Sequence, residues 1–420
     1  MKQNDVIVIG GGISGIFAAI TAARRGKQVL LVTKGVGAIA TAGGTIDMLG
    51  YTWDGFPVRS PWEAMGKMDT DHPFMLIGRD TVEQSVQAFL SLCLGEGYPY
   101  LGSLEKNQWI PTALGRLKPT CLVPRTMDAT GFKAAEDVFV VGFEGLKDYS
   151  ARLIAGGLAE CPGYRKNYSI LSVKPEIENG RDLTALDVAR WLDSEKGHQS
   201  CIEQLIRFVR PNSFILLPPV LGTRPDYVLF DKFEQATQCR VIETVGLPPA
   251  VTGYRLRRML VKCLAKWKIQ VIEQTNVIRA TLANGRCSEI VTGNLDRQRS
   301  YQADAFILAS GGLFGGGLLA EPDQVIESIF NLPVIVPAKN SNWSQENLFF
   351  TQGQPFAKFG VKVDEKLRPL NETGQVLLEN VFVAGKTVAG YDYCREKSGN
   401  GVALATAYRA GLEASEEEIA

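Results

Sequence analysis

Three glycines near the start of the sequence have the spacing of a phosphate-binding turn. Gly10, Gly12 and Gly15 follow an apolar, β-branched run and open an apolar helical stretch. The first amides of a helix have no partner within it, so they can bind an anion, and glycine lets the backbone approach phosphates closely. The pattern predicts that Gly10, Gly12, Ser14 and Gly15 bind a dinucleotide pyrophosphate. A glycine turn with a purely structural role is the alternative.

The residues that follow the next apolar run indicate which kind of nucleotide would bind. A site for NAD usually has Asp or Glu at this point to accept hydrogen bonds from the ribose, but here Thr33 and Lys34 follow residues 28–32. A conventional NAD site is therefore not favoured. We expect the Thr33 hydroxyl to bind a ribose and Lys34 to lie near the adenosine. A solvated lysine after a strand would give the same pattern.

Further glycines follow apolar runs later in the chain. Residues 35–44 are rich in small side chains, a composition that suits close contact with a flat ligand or, alternatively, a flexible loop. The runs 306–308 and 380–384 lead into glycine, as parallel strands that meet a cofactor do. A turn at 398–401 opens the last helix, whose positive end would face negative charge on the cofactor. The other predicted cofactor-binding residues are Gly43, Gly44, Val277, Ser310, Gly311, Gly385, Gly399, Asn400, Gly401 and Val402.

The elements that must position these residues come from both ends of the chain. Alternating strand and helix patterns predict an α/β protein with a Rossmann-like domain. We predict that this domain is discontinuous and consists of residues 1–50, 247–320 and 353–420. Residues 51–246 and 321–352 are predicted to form an inserted α/β cap domain, because the first of these segments changes to a composition rich in proline and aromatic residues.

Composition limits the classes of function. The 420 residues carry 45 Lys and Arg against 45 Asp and Glu, so the net charge favours neither nucleic acid nor an anionic membrane as a partner. No apolar run approaches the roughly 20 residues of a membrane helix, and the sequence enters a strand without a leader, so we expect a cytoplasmic protein. The 8 cysteines include no CxxC pair and there are only 2 histidines, which argues against a metal centre or iron–sulfur cluster.

The order of these motifs resembles a flavoprotein family that includes the flavoprotein subunits of fumarate reductase and succinate dehydrogenase. The matching segments are 10–15, 33–34, 43–44, 308–312 and 380–385. Over nearly its whole length, the chain is more closely similar to the family of B subunits of anaerobic glycerol-3-phosphate dehydrogenases. Segments 112–120, 310–317, 359–361 and 367–369 carry that similarity. The resemblance implies a two-dinucleotide-binding flavoprotein fold.

The resemblance also implies a flavin cofactor. Relatives with covalently bound FAD have a histidine in the loop before the Gly-Gly pair, but residues 35–42 contain none, so we expect a noncovalent flavin. The family of B subunits implies FMN. FMN, however, lacks the pyrophosphate and adenosine that the turn at 10–15 and the end of the following strand would hold, so the motif favours FAD.

The implied activity is oxidation of sn-glycerol 3-phosphate to dihydroxyacetone phosphate. In such a complex, the A and B subunits form a soluble catalytic pair, and a membrane-associated iron–sulfur protein, the C subunit, passes electrons to quinone. The resemblance therefore places this chain in the cytoplasm, attached to the inner face of the cell membrane only through its partners. Two alternatives are a protein that only relays electrons or acts as a scaffold, and a self-sufficient flavin dehydrogenase or reductase of another small anionic substrate.

Residues for substrate chemistry are less clearly marked. In fumarate-reducing relatives an arginine just before the comparable glycine turn donates the substrate proton, which makes Arg395 and Lys397 candidates for contact with an anionic substrate. A surface ion-pair loop would explain them equally well. Arg116, Lys118 and Arg125 form a second basic group that could hold a phosphate. No general base is evident, since both histidines lie outside matching motifs and are expected at the surface or in loops.

Overall fold

The computed structural model describes residues 4–178, 181–293, 297–348 and 352–416. Parts of the predicted domains, namely 1–3, 179–180, 294–296, 349–351 and 417–420, lie outside the described residues. The strands are β1 Asn4–Ile9, β2 Val29–Val32, β3 Tyr100–Gly102, β4 Gln108–Pro111, β5 Leu117–Thr120, β6 Leu122–Pro124, β7 Asp137–Phe143, β8 Asn167–Val173, β9 Phe214–Leu217, β10 Arg240–Glu243, β11 Gln270–Ile272, β12 Val277–Ala283, β13 Arg286–Gly293, β14 Gln298–Leu308, β15 Leu318–Ala320, β16 Val325–Glu327, β17 Val334–Ile335, β18 Gly360–Val361 and β19 Val381–Val383. The helices are α1 Ile13–Arg24, α2 Pro61–Met65, α3 Pro73–Leu76, α4 Arg79–Gly95, α5 Ala151–Ala159, α6 Ala185–Asp193, α7 Glu195–Ile206, α8 Val228–Thr237, α9 Val251–Lys266, α10 Tyr393–Glu396 and α11 Gly399–Glu413.

A mixed sheet organises the predicted glycine motifs. Its order in the described chain is β11-β2-β1-β14-β13-β12, and β19 also pairs with β14. The pairs that join β11, β2, β1, β14 and β19 are parallel, whereas β12 and β13 form an antiparallel hairpin against the first half of β14. Strands β1 and β2 are buried almost throughout, which explains why the sequence shows continuous apolar runs there.

Five parallel strands of this sheet end side by side, since Ile272 at the end of β11 pairs with Val32. Ile9 pairs with Val32 on one side and with Leu308 on the other, and Leu308 pairs in turn with Val383. The residues that follow these strands therefore lie along one edge. In open α/β sheets this carboxyl edge is where ligands bind.

Helices α1 and α11 pack together through small residues. A Cβ atom on Gly411 would lie 2.7 Å from the Cβ of Thr21 and 2.9 Å from the carbonyl oxygen of Ala18. The Phe17 and Tyr408 rings lie 6.5 Å apart at the same contact. The close approach explains why α1 is apolar on all sides. No helix in the described part of the chain is long and apolar enough to cross a membrane.

A second sheet, of order β10-β9-β7-β8, is entirely parallel. The sequence predicts strands at 137–141 and 213–217 and a helix at 149–158. The structure confirms them as β7, β9 and α5, with ends that differ by a few residues. The α/β character predicted for this segment is therefore present.

Packing divides the chain into two compact units. Unit 1 is Met1–Ala38, Asp47–Phe89 and Leu260–Ala420, and unit 2 is Ile39–Ile46 and Leu90–Met259. These bounds differ from the predicted domains over four segments, which are 39–46, 51–89, 247–259 and 321–352.

Long-range contacts explain the differences in bounds. Segment 51–89 joins unit 1 because the Tyr51 amide donates to the Glu396 carbonyl and the Phe89 ring packs on Phe17. Segment 321–352 joins unit 1 because β17 pairs with β18 and the Phe330 ring packs on Phe306. Segments 39–46 and 247–259 contact each other within unit 2.

Two glycine-to-alanine changes test the packing of α11. Gly411→Ala should destabilise the protein by about 1–3 kcal/mol, because the methyl group has no room against α1. Gly156→Ala, at an exposed position of α5 with no neighbouring atom within 4 Å, should stabilise it by up to about 1 kcal/mol. Thermal and urea unfolding of both variants would measure the difference, and equal stabilities would contradict this account of α1 and α11.

Candidate functional site

The turn between β1 and α1 brings three predicted glycines into one tight loop. Gly10 has a φ of +130°, and a Cβ atom there would lie 2.1 Å from the carbonyl oxygen of Ala309. A Cβ on Gly15 would lie 1.8 Å from the carbonyl oxygen of Gly10, so neither position accepts a side chain. A Cβ on Gly12, in contrast, would meet no other atom within 4 Å. The turn is closed toward the sheet and open at Gly12, where α1 begins.

Ser14 and Gly385 meet although they are far apart in sequence. Gly385 has a φ of +70°, and a Cβ there would lie 2.2 Å from the Ser14 hydroxyl oxygen. The Gly385 amide donates to the Thr406 hydroxyl at 2.8 Å. The end of β19 is thus held between the first turn of α1 and the middle of α11.

Thr33 and Val277 are also brought close together. The Thr33 hydroxyl donates to the carbonyl of Gly35 at 2.5 Å and accepts from the Gly35 amide at 3.2 Å, so its oxygen can accept only one further hydrogen bond. The Thr275 amide donates to the Thr33 carbonyl at 3.1 Å, which places the start of β12, and Val277 with it, beside the end of β2. Lys34 is exposed.

The turn after β14 contains a buried hydroxyl that has no partner among the described residues, that of Ser310. Gly311 beside it has a φ of +87°, and its carbonyl accepts from the Thr387 hydroxyl at 3.2 Å. A Cβ on Gly317 would lie 2.5 Å from the Ser310 hydroxyl oxygen. Because an unpaired buried hydroxyl is costly, the Ser310 side chain fits a site that receives a polar ligand group.

The start of α11 is fixed by contacts within unit 1. The Gly401 amide donates to the Asp47 carbonyl at 3.0 Å, and a Cβ on Gly401 would lie 2.7 Å from the Cα of Met48. The Val402 amide makes the first helical hydrogen bond, to the Ser398 carbonyl. The amides of Gly401 and Val402 therefore have partners in the chain, and the glycine at 401 has a packing reason of its own.

A buried polar network lies immediately before α11. The Phe74 amide donates to His72 Nδ1 at 3.1 Å, so the neutral ring carries its hydrogen on Nε2, which lies 3.2 Å from the Glu396 carboxylate. The Ser398 hydroxyl donates to the same carboxylate at 2.8 Å. Burial by itself raises the pKa of Glu396, but the bonds from His72, the Asp392 amide and Ser398 hold it below its ordinary value of 4.5. The carboxylate thus fixes the residue that caps α11.

The network corrects one expectation from the sequence. The sequence places both histidines at the surface or in loops. His72 does lie in the loop before α3 but is only 4% exposed, and His198 lies in helix α7 and is 8% exposed. His72 caps α3 ahead of Pro73, a pattern that could have indicated an ordered position. Nothing near Glu396 in the sequence points to its partner, which lies more than three hundred residues away. No group of three or more His, Cys, Asp or Glu in the described residues is arranged to hold a metal ion.

Gly43 and Gly44 lie in unit 2 and have close neighbours there. The Gly43 carbonyl accepts from the Thr252 hydroxyl at 2.8 Å. Gly44 has a φ of +79°, and a Cβ there would lie 2.7 Å from the Cβ of Thr252. Gly44 is therefore required by the close approach of helix α9, whereas a Cβ on Gly43 would lie 2.9 Å from the Val245 side chain. The role of both glycines in binding a cofactor stays a prediction.

Arg395 and Lys397 have different surroundings. Arg395 Nε donates to the Trp53 carbonyl at 2.6 Å, and its guanidinium lies 4.4 Å from the centre of the Trp53 ring. Lys397 is exposed and has a φ of +52° at the end of α10. Arg395 thus contacts both the backbone and the ring of Trp53, and substrate contact by either residue stays a prediction.

The second basic group does not share one partner. Arg116 pairs with Glu160 at 3.1 Å, and the Lys118 ammonium donates to the Thr45 hydroxyl at 3.0 Å. Arg125 forms an ion pair with Asp231 and lies over aromatic rings. Each cation makes its own contact within unit 2, so the structure offers no separate argument for a phosphate held by all three.

Comparisons with known proteins agree with this architecture. A family model described as FAD binding domain matches residues 5–402. The B subunit of anaerobic glycerol-3-phosphate dehydrogenase from Vibrio cholerae serotype O1 is 31% identical over 98% of this chain and 96% of that protein. The protein of the same name from Yersinia enterocolitica is 30% identical over 96% of each. The matches confirm the predicted flavoprotein fold class.

Solved structures give a weaker likeness. A 3-ketosteroid Δ1-dehydrogenase from Sterolibacterium denitrificans covers 99% of this chain and 100% of its own, at 11% identity and a TM-score of 0.47. At that TM-score the likeness does not assign the fold by itself. The residues of unit 1 nevertheless fit the flavin indicated by the family match, since the turn is open at Gly12 and the buried Ser310 hydroxyl can bond a polar group.

Gly12 and Gly15, at the start of α1, should respond differently to replacement by alanine. Gly12→Ala should fold with wild-type stability but bind flavin about tenfold more weakly, or worse, because the methyl group enters the open side of the turn. Gly15→Ala should lower the melting temperature as well, since its methyl group meets the Gly10 carbonyl. Melting curves and flavin titrations would check both, and wild-type flavin binding by Gly12→Ala would contradict the predicted pyrophosphate site.

Glu396→Gln tests the buried network. At pH 7 we expect a loss of about 1–3 kcal/mol, because hydrogen bonds to a buried charge are removed. The pKa of Glu396 is lower in the folded protein, so its stabilising contribution is present above pH 4.5 and is lost as the pH falls through the folded value. The difference from wild type should therefore shrink in acid. Glu160→Gln, in an exposed pair, is the control and should change stability little.

Proposed function

The chain belongs to the FAD binding domain family and, within it, to the family of B subunits of anaerobic glycerol-3-phosphate dehydrogenases, and on that premise we propose its function. It is the flavin-binding subunit of a complex that oxidises sn-glycerol 3-phosphate to dihydroxyacetone phosphate. The observation that carries the proposal is the similarity to proteins of that name over nearly the whole of both chains. The cradle of glycines in unit 1 supports it independently.

The proposed cofactor is noncovalent FAD. Gly10, Gly12, Ser14 and Gly15 would hold the pyrophosphate at the start of α1, and Thr33 with Val277 would contact the adenosine half. The turns after β14 and β19 would line the rest of the cofactor. FMN, which the resemblance to B subunits implies, has neither a pyrophosphate nor an adenosine, so it would leave Thr33 and Val277 without a ligand to contact. When bound, FAD supplies an acceptor for the two electrons removed from the alcohol.

The proposed substrate is anionic, and contacts to its phosphate are assigned to basic residues near α11. Arg395 is held by its bond to the Trp53 carbonyl, and Lys397 is exposed. A catalytic base is still needed for the hydroxyl proton. His72 does not suit this role because both of its ring nitrogens already have partners.

This observation on His72 favours a second candidate function. In it, the A subunit of the complex binds and oxidises the substrate, and the present chain relays the electrons through its flavin. In both cases we propose that the iron–sulfur C subunit of the complex is the next acceptor. We also propose attachment to the inner face of the cell membrane through these partners only.

The full-length purified chain distinguishes the candidates. Its flavin would be released by heat and identified, and glycerol 3-phosphate oxidation would be followed with a dye acceptor. FAD with turnover supports catalysis in this chain, whereas FAD without turnover supports the relay. A folded preparation that binds neither FAD nor FMN would overturn both. The Gly12→Ala variant is the matched control for specific flavin binding.

A further inference from the structure

Lys386 lies between two of the glycine turns at the carboxyl edge of the large sheet. It is the second residue of the 3₁₀ turn Gly385–Thr387, directly after the glycine that contacts Ser14. A Cβ on Gly312 would lie 2.8 Å from the Cγ of Lys386. The stem of the lysine therefore packs on the backbone that follows β14.

The ammonium group is enclosed, and its close partners are uncharged. Lys386 Nζ donates to the Ala357 carbonyl at 2.5 Å and lies 4.4 Å and 5.0 Å from the ring centres of Tyr391 and Tyr393. No carboxylate among the described residues lies within 4.0 Å of it. The negative groups of the surrounding segment, Asp392 and Glu396, act on it only from a longer distance. Its positive charge is therefore incompletely neutralised.

The same surroundings make the charge of Lys386 sensitive to pH. Burial lowers its pKa from 10.5 to about 8, against smaller opposing effects of Asp392, Glu396 and Cys394. Tyr391 and Tyr393 both have pKa values raised by burial, so they stay neutral over this range. Of Lys386, Tyr391 and Tyr393, the lysine is the one whose charge changes near pH 8.

We infer that the positive charge of Lys386 stabilises the reduced, negatively charged form of a flavin bound at the neighbouring glycines. A cation in a poorly solvated site acts strongly on nearby charge, and such groups tune the electronics of bound cofactors. The inference rests on the proposed function, since it requires a flavin at these turns. It adds a residue of this chain that sets the tendency of the flavin to accept electrons.

The test is the midpoint potential of the bound flavin, measured against reference dyes from pH 6 to 10. Lys386→Met should lower the potential at pH 7. In the wild type, reduction of the flavin adds negative charge and should raise the pKa of Lys386. Above about pH 8 the lysine should therefore take up a proton when the flavin is reduced, and the midpoint potential should fall more steeply with pH over that interval. Lys386→Met should lack this additional slope.

Two further variants keep the test decisive. Lys386→Arg should retain the potential at pH 7 and lose the additional slope, because arginine keeps its proton. Lys358→Met is the matched control, since its ammonium lies over the Trp53 ring instead, and it should leave the potential unchanged. An unchanged potential in Lys386→Met with flavin bound would overturn this inference alone. Absence of flavin from the wild type would overturn the proposed function and the inference together.

A readout without flavin is also available. The folded pKa of Lys386 is below the unfolded value, so burying the protonated form lowers stability below about pH 8, and stability should rise with pH from about 8 to 10.5. The flavin-free Lys386→Met protein should be more stable than wild type at pH 7 and lack that rise. Equal pH profiles would show that the ammonium is not enclosed as described.

Discussion

The closeness of the backbone at the first glycine turn is the constraint on which unit 1 depends. Gly15 touches the carbonyl of Gly10, and Gly10 touches the carbonyl of Ala309, so a strand, a helix and a second strand meet without intervening side chains. This contact sets β1 between β2 and β14 with their ends level. The start of α1 therefore lies at the edge where the other glycine turns lie, with Ser14 against Gly385.

The last helix completes that edge by a different means. Small residues let α11 lie directly on α1, while a buried carboxylate holds Ser398, the residue that caps α11. Burying Glu396 is costly, and the cost is offset because His72, Ser398 and the Asp392 amide all donate to it. Lys386 lies nearby without a close counter-ion among the described residues. The carboxyl edge of the large sheet therefore combines close backbone contacts with buried charged side chains.

Unit 2 also contains a buried carboxylate that is stabilised by more than one donor. Arg255 and Glu243 form a fully buried ion pair, and the Glu243 carboxylate also accepts from the Leu221 amide at 2.7 Å. The pair ties the end of β10 to helix α9, whose Thr252 packs on Gly44. Removing one partner would leave an uncompensated buried charge, so the pair fixes one arrangement of these elements.

The sequence by itself determined the elements whose signals are local. Continuous apolar runs, the spacing of Gly10, Gly12 and Gly15, and glycine after each strand sufficed for the βαβ unit and for the parallel strands that end at one edge. A strand or turn of this kind is specified by neighbouring residues, through side-chain periodicity and allowed backbone angles. The flavoprotein fold class followed from the order of these motifs.

Only the tertiary structure decided which distant segments pack together. The assignment of 51–89 to unit 1, the His72–Glu396 pair and the contact of Arg395 with Trp53 join residues hundreds of positions apart. Such partners leave no periodic pattern in the sequence, because burial, hydrogen bonding and charge depend on what the folded chain brings near. A charged residue next to a glycine turn therefore looks the same in the sequence whatever it contacts, and the contact of Arg395 with Trp53 is seen only in the folded chain.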